Sequence, residues 1–326
     1  TATMECTNPT NIVSPTSPSN MINLTMRLKA SQDFFTDKDA DDIVDRVNVM
    51  LMQESTTYKV VGVSNDAFNF RRSIMVDWSF HIVDHYGLDR EIVEVAFSYL
   101  DRFVERCSTD DAAFKLASMT CLYIASKNIG PKYISLKSLS ELSEGEFDIH
   151  HFVDMELVIL KSLNWRLQPP TARTFIENFL SFIPSNKIAM KQAVHRRALF
   201  YSELSLFEYS YALETKSLLA LSSILNAIQD IYPKILSDTI ARRFKGELMF
   251  ALNLDHEDTE IDTAQRSLSK LYTGSEQYRL YEANKLCLLG TAAKFVGTRG
   301  RTFSKDSVSS EANASPVCVW TEMETR

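Results

Sequence analysis

Four charged residues of this 326-residue chain, Arg72, Asp101, Lys127 and Glu156, stand where a charge could do more than keep the surface wet. Arg72 and Asp101 fall in two helical patterns otherwise full of apolar residues. Charges there are either paired in the interior or left on an exposed edge, because a buried ion that loses its partner costs roughly 3–5 kcal/mol. Lys127 closes an apolar run, after Ile124-Ala125-Ser126, where a solvated lysine complements the C-terminal end of a helix dipole. Glu156 lies between Met155 and Leu157 and reads as part of an ordinary exposed face. None of these is a catalytic constellation. The chain holds no P-loop, GxGxxG, HExxH or GxSxG pattern. His150 and His151 are adjacent, cannot share a helical face and make a poor metal pair. The residues therefore point to no active site, no metal and no cofactor of the chain's own.

Composition narrows the fold that must position them. A hydrophobic fraction of 45% suits a globular protein with real cores, and the length suffices for two ordinary domains. Only 9 glycines and no Asn-Gly or Asp-Gly step favour helices over hairpins. The net charge of −7 argues against a nucleic-acid partner. The five cysteines, Cys6, Cys107, Cys121, Cys287 and Cys318, are odd in number and form no CxxC, which fits a reducing compartment. No run approaches the roughly 18 apolar residues of a membrane span, and no signal-peptide pattern opens the chain. An intracellular protein, nuclear or cytoplasmic, is the expectation.

Residues 1–33 are rich in Ser, Thr, Asn and Pro and read as a disordered arm. Its Ser14-Pro15 and Ser17-Pro18 steps are either kinase targets or plain tail. Asp39 to about Gln53 predicts a first helix, with acidic residues in its first turn. Five helical patterns follow. The first runs Arg71–Tyr86 and stops at Gly87. The second carries Ile92, Val95, Ala96, Tyr99 and Phe103 on its buried side. The third is capped by Ser108 and Thr109, runs to Lys127 and is broken by Gly130-Pro131. A short helix over Leu136–Leu142 and one capped by Asp148 complete the set. Pro169-Pro170 ends it, and a domain boundary is placed there. A second helical set covers Thr171–Phe182, Ala189–Tyr209, Lys216–Ile231, Ser237–Leu252 and Asp258–Tyr272. Its order echoes the first, so a structural repeat is expected. Tyr278–Val296 can add one more helix before a polar, Ser-rich, disordered end. The expected organisation is an arm (1–33), a first domain with a preceding helix (34–168), a second domain (169–275) and a tail (276–326).

The first set carries a recognisable string: Arg71-Arg72-Ser73-Ile74-Met75-Val76-Asp77-Trp78, Leu88 and Glu91, Ser98-Tyr99-Leu100-Asp101-Arg102-Phe103, Ile124-Ala125-Ser126-Lys127, and Met155-Glu156-Leu157-Val158-Ile159-Leu160. It resembles the N-terminal cyclin box. The continuation Lys161-Ser162-Leu163-Asn164-Trp165-Arg166-Leu167 is similar to D-type cyclins. The second set resembles the C-terminal cyclin box more loosely, through Ala198–Leu206, which includes Glu203-Leu204-Ser205-Leu206.

The resemblance implies an all-α fold of two tandem five-helix cyclin-like domains between disordered tails. It implies a regulatory subunit that binds and activates a cyclin-dependent serine/threonine kinase as a heterodimer, in cell-cycle control, and that is no enzyme itself. Arg72 and Asp101 match the internal ion pair of cyclins. Lys127 and Glu156 match the lysine and glutamate that reach main-chain groups around the kinase's αC helix. They are expected at the ends of one groove walled by Ile124 and Ile159. Ile74, Met75 and Trp78 match a patch that docks peptide motifs of kinase substrates. Arg71, His81, Asp111 and Lys115 beside it depart from the usual residue types, so basic motifs should dock poorly there. Asn128-Ile129-Gly130-Pro131 after Lys127 make the kinase-facing rim less acidic than is common. Two rivals stand beside this reading: a cyclin-fold transcription factor that binds DNA or polymerase, and a helical scaffold without a kinase.

Overall fold

A computed structural model of the chain describes residues 37–275, apart from 61, 63–65, 184–187, 233, 253 and 255. The expected arm over 1–33, the extra helix over 278–296 and the polar tail lie outside the described residues. Among those described are eleven α-helices, one short 3-10 helix and no strand, as the all-α reading requires. Helix α1 spans Asp37–Thr56. The first five-helix set is α2 (Asp66–His85), α3 (Glu91–Val104), α4 (Asp111–Ile129), α5 (Leu136–Leu142) and α6 (Ile149–Ser162). The second is α7 (Ala172–Leu180), α8 (Ile188–Ser205), α9 (Lys216–Ile231), α10 (Lys234–Leu252) and α11 (Asp258–Gly274).

Local chemistry sets the ends of these elements. Gly87 takes φ +59°, a left-handed conformation that closes α2 cheaply. The N-cap of α4 is Asp110 rather than Ser108 or Thr109. Its backbone is extended and its carboxylate accepts from the Ala113 N–H at 2.8 Å. His151, one of the adjacent histidines, completes the start of α6, its Nδ1 accepting from the Asp148 N–H at 3.0 Å. Helix α2 begins at Asp66, a turn earlier than Arg71, because Phe68 packs edge-on to both Phe114 and Tyr209. Helix α8 stops at Ser205 instead of continuing to Tyr209. Ser202 and Ser205 turn their hydroxyls back onto the carbonyls of Leu199 and Ser202, and a separate 3-10 turn forms over Tyr209–Ala212.

The middle helix of each set is its hub. In α4, side chains from Phe114 through Ser126 are buried nearly all round, and in α9 every residue from Ser217 to Ile228 is. A helix buried on every side needs small or self-satisfied polar residues. Ser118 and Thr120 bond back to the carbonyls of Phe114 and Leu116. Two large cores result, one around α2–α6 and one around α7–α11, with a smaller cluster around Tyr201, Leu219, Leu268 and Tyr272 beside the second.

Those cores interlock across the chain. Val44, Val47 and Met50 of α1 are buried in the second core, against residues such as Phe175, Phe179 and Phe244. The helix that precedes the first set therefore packs on the second. Burial of three such side chains supplies roughly 1.5–3 kcal/mol each. Conversely, Leu206 and Tyr209, beyond α8, are buried in the first core.

Carboxylates seal the junction by capping helices remote in sequence. Glu54 of α1 accepts from the N–H of Ser217 at 3.1 Å and from its hydroxyl at 2.5 Å, capping α9. Glu94 of α3 accepts from the Ala172 N–H at 2.6 Å, and Glu91 from the Thr171 hydroxyl at 2.7 Å, at the start of α7. Burial pushes the carboxyls of both Glu54 and Glu94 above the ordinary range, against the pull of the Ser217 bonds on Glu54 and of Lys216 on Glu94. No described helix is long and apolar enough to cross a membrane.

Candidate functional site

Arg72, from α2, and Asp101, from α3, meet in the interior. The guanidinium donates through Nε and Nη2 to the two carboxylate oxygens at 2.8 Å each, with the side chains only 2% and 3% exposed. Arg72 also lies over the rings of Phe97 and Tyr209, and its Nη1 donates to the Leu206 carbonyl. Three of its donors are thus used, two within the first set and one on the chain segment leaving α8. That segment belongs to the second set, so the pair fixes the junction of the two halves as well as the α2–α3 contact.

Lys127 and Glu156 meet as well, but at the surface. Lys127 stands in the last turn of α4, Glu156 in the middle of α6, and the ammonium donates to Glu156 Oε1. It also lies 4.2 Å from the centre of the Tyr123 ring. The side chains are 35% and 19% exposed. Burial pulls the Lys127 ammonium down, but its bonds to Glu156 and Tyr123 outweigh this and hold it above its ordinary value. The Lys127 ammonium therefore stays charged near neutrality, and both heads lie within reach of an incoming backbone.

The expected surroundings need correction. Lys127 and Glu156 do not mark the two ends of a groove, since their heads touch. Ile124 and Ile159 do not wall one, since both are fully buried in the first core. Helix α6 is apolar on two faces. Phe152 and Ile159 point inward, while Ile149, Val153, Leu157 and Val158 are exposed. The latter stripe, four residues apart at Ile149, Val153 and Leu157, lies outside the core and beside Glu156 in the helix.

A further exposed residue, read in the sequence only as part of the string that resembles D-type cyclins, follows this helix. Trp165 is 63% exposed, at the turn that ends α6. Asn164 and Trp165 take φ +51° and +58°, and the Trp165 N–H bonds back to the Leu160 carbonyl at 3.0 Å. A left-handed tryptophan is strained and needs holding. Arg106 donates to the Ser162 carbonyl, Arg102 to that of Arg166, and both Tyr99 and Asn128 to that of Leu167. Asn128 follows Lys127 directly, so the turn that projects Trp165 is anchored on the same end of α4 as the ion pair. The available signal was an aromatic after Asn164, in a string with no glycine to take the turn.

The third predicted group opens another face. Ile74 is exposed, Trp78 half-buried and Met75 buried; together with Phe114, Met119 and Leu142 they line an open apolar cavity between α2 and α4. Arg71 pairs with Asp111 across its rim and lies over the Phe114 ring, and Lys115 pairs with Glu146. Asp77, one turn before His81 on α2, has its carboxyl raised by burial, which the imidazole partly opposes. Among the described residues no group of histidines, cysteines and carboxylates could hold a metal ion.

These geometries can be set against known proteins. Residues 42–168 match the family "Cyclin, N-terminal domain". Cyclin-A2-1 of Arabidopsis thaliana is 24% identical over 245 residues, which cover 74% of this chain and 55% of the plant protein. Human G1/S-specific cyclin-D1 is 26% identical over 198 residues, 59% of this chain and 67% of that protein. The chain thus spans between half and two thirds of the length of these relatives. A viral cyclin from herpesvirus saimiri has a solved structure that superposes on 71% of this chain and 96% of its own, with a TM-score of 0.49 and 18% identity. Over residues 42–168 the chain matches the cyclin N-terminal domain, and the relatives that it resembles beyond those bounds are cyclins.

Proposed function

We propose that this chain is the regulatory subunit of a cyclin-dependent serine/threonine kinase, acting in cell-cycle control in the nucleus or cytoplasm, and that it switches on its partner's active site rather than carrying one. The observation that supports this most directly is the Lys127–Glu156 pair, partly exposed on the helix that carries the uncovered stripe of Ile149, Val153 and Leu157 and that ends in the turn of the exposed Trp165. An ammonium offers donors to carbonyls, and a carboxylate accepts from N–H groups. When a backbone segment arrives, the two heads part and each takes a main-chain partner, while the apolar stripe covers side chains of the same segment. Kinase activity requires the αC helix swung inward, so that its glutamate pairs with the strand-three lysine. A surface that binds only the inward state shifts the population toward it. The cavity around Ile74, Met75 and Trp78 serves as the docking place for substrate peptides. The carboxylates that a basic peptide would need there, Asp111 and Glu146, are already engaged by Arg71 and Lys115, so basic peptides are disfavoured.

The test is recovery of kinase activity on the tagged chain, with and without Lys127→Ala and Glu156→Ala together. Hydrogen bonds to charged groups contribute roughly 1.5–3 kcal/mol each, so the double variant should lose kinase binding by a few orders of magnitude while its circular dichroism is unchanged. A folded double variant that recovers full activity overturns the reading. Mass spectrometry of the purified complex then separates the rivals, because a polymerase complex or no dominant partner would replace the kinase.

A further inference from the structure

The seam between the two halves holds more carboxylates than cations. Arg90, just before α3, donates to Glu203 of α8 at 2.6 Å and pairs with Asp84 of α2 at 3.0 Å. Arg173 of α7 pairs with Asp89 at 2.6 Å and with Glu177 at 3.1 Å, and His195 of α8 lies 3.7 Å from Glu177. Glu91 and Glu94 line the same small cavity as Glu203, and Lys216 of α9 faces Glu94 from the far side. Two arginines therefore serve four carboxylates, with two more close by.

An arginine shared between two carboxylates neutralises neither fully, and the more enclosed of the two suffers most. Here that is Glu203, 19% exposed against 41% for Asp84. Burial, with Asp84 and Asp89 adding repulsion against the pull of Arg90 and Arg173, pushes its carboxyl up to about 7. As a neutral acid, Glu203 still offers Arg90 a carbonyl oxygen and no longer repels its acidic neighbours.

We propose that Glu203 is a proton-operated latch between the two halves: neutral, it holds α8 against the corner formed by Asp84 and Arg90; ionised, it loosens that contact. The direction follows from linkage. A glutamate freed from the seam ionises near its ordinary value of 4.5, whereas the seated one does so near 7. The seated state therefore binds the extra proton between these values. The latch is fully set at the acid end of that window. As pH rises through it, the seam equilibrium weakens by up to about tenfold per unit and levels off above pH 7.

Thermal melting of the full chain from about pH 5 to pH 8, as wild type, Glu203→Gln and Asp84→Asn, tests this, together with carboxyl titration by carbon-13 NMR after glutamate labelling. Glu54 and Glu94 contribute slopes of the same sign, so the difference between variants is what counts. Glu203→Gln should remove one proton's worth of slope and match or exceed wild-type stability at pH 7.5. Asp84→Asn should move the Glu203 midpoint to lower pH, since Arg90 is no longer shared. A wild-type slope in Glu203→Gln, or a Glu203 midpoint below about pH 5 in the wild type, overturns the latch. The NMR midpoint decides alone if the glutamine variant does not fold.

Discussion

Two ion pairs of the first half are chemically alike and physically opposite. Arg72–Asp101 is sealed, bidentate and buttressed by aromatic rings, with a further donor spent on Leu206. Lys127–Glu156 joins a half-exposed ammonium to one carboxylate oxygen at the surface. A buried pair leaves nothing to offer a partner, because breaking it strands a charge. An exposed pair contributes little to stability, about 0–1 kcal/mol, and can be exchanged for other partners at little cost. Burial, rather than charge type, separates the pair that builds the fold from the pair available for recognition.

The largest effect is expected when the exposed pair is inverted. Lys127→Glu with Glu156→Lys keeps a pair in the free chain, so melting should move by under about 1 kcal/mol. Kinase binding should nevertheless fall by a few orders of magnitude, since each head now faces a backbone group of the wrong sense. Rescue of binding by the inverted pair would show that the contact between the two residues is what counts, and the comparison would break. Next comes Arg72→Ala, which should cost roughly 3–5 kcal/mol in chemical denaturation by stranding Asp101 and freeing the Leu206 carbonyl. A loss near zero would mean that water reaches Asp101.

Smaller effects sharpen the boundary between the two roles. Glu54→Ala should destabilise the chain by about 0.5–2 kcal/mol, with hydrogen-exchange protection lost in the first turn of α9 and not in α4. Protection lost equally in both would place the cap inside one cooperative unit. Trp165→Gly relieves a left-handed side chain, so stability should hold or rise by up to about 1 kcal/mol. Kinase affinity should drop, and an unchanged affinity would remove Trp165 from the recognition face.

How much of this was readable before the structure depended on how local each signal was. Arg72 and Asp101 announced themselves as charges inside apolar runs, and their spacing matched a known family. The positions of Lys127 and Glu156 were legible in the same way, but their contact was not, because it depends on where the end of α4 crosses the middle of α6. The assignment of Ile159 to a groove failed because α6 is apolar on both faces. A period of 3.6 marks such a helix without saying which stripe turns inward. Ile124 failed because α4 is buried all round. The remote caps had no local signal. Glu94 interrupts Ile92-Val93 and Val95-Ala96, and its partner is 78 residues away. The early end of α8 was set by Leu206 and Tyr209 turning into the other half's core, which the helical pattern over 189–209 could not foresee.

The placement of α1 has a consequence for the order in which this protein can be made. Glu54 meets Ser217 across 163 residues, and Val44, Val47 and Met50 find their cover on helices that follow the whole first half. During synthesis the first core waits for Leu206 and Tyr209, and α1 waits longer still, its apolar stripe facing water. The second core is completed last, when α1 swings onto α7 and α10 and α9 receives its cap. A chain halted before the second core is complete therefore exposes the apolar stripe of α1, the kind of surface by which chaperones and proteases single out unfinished chains.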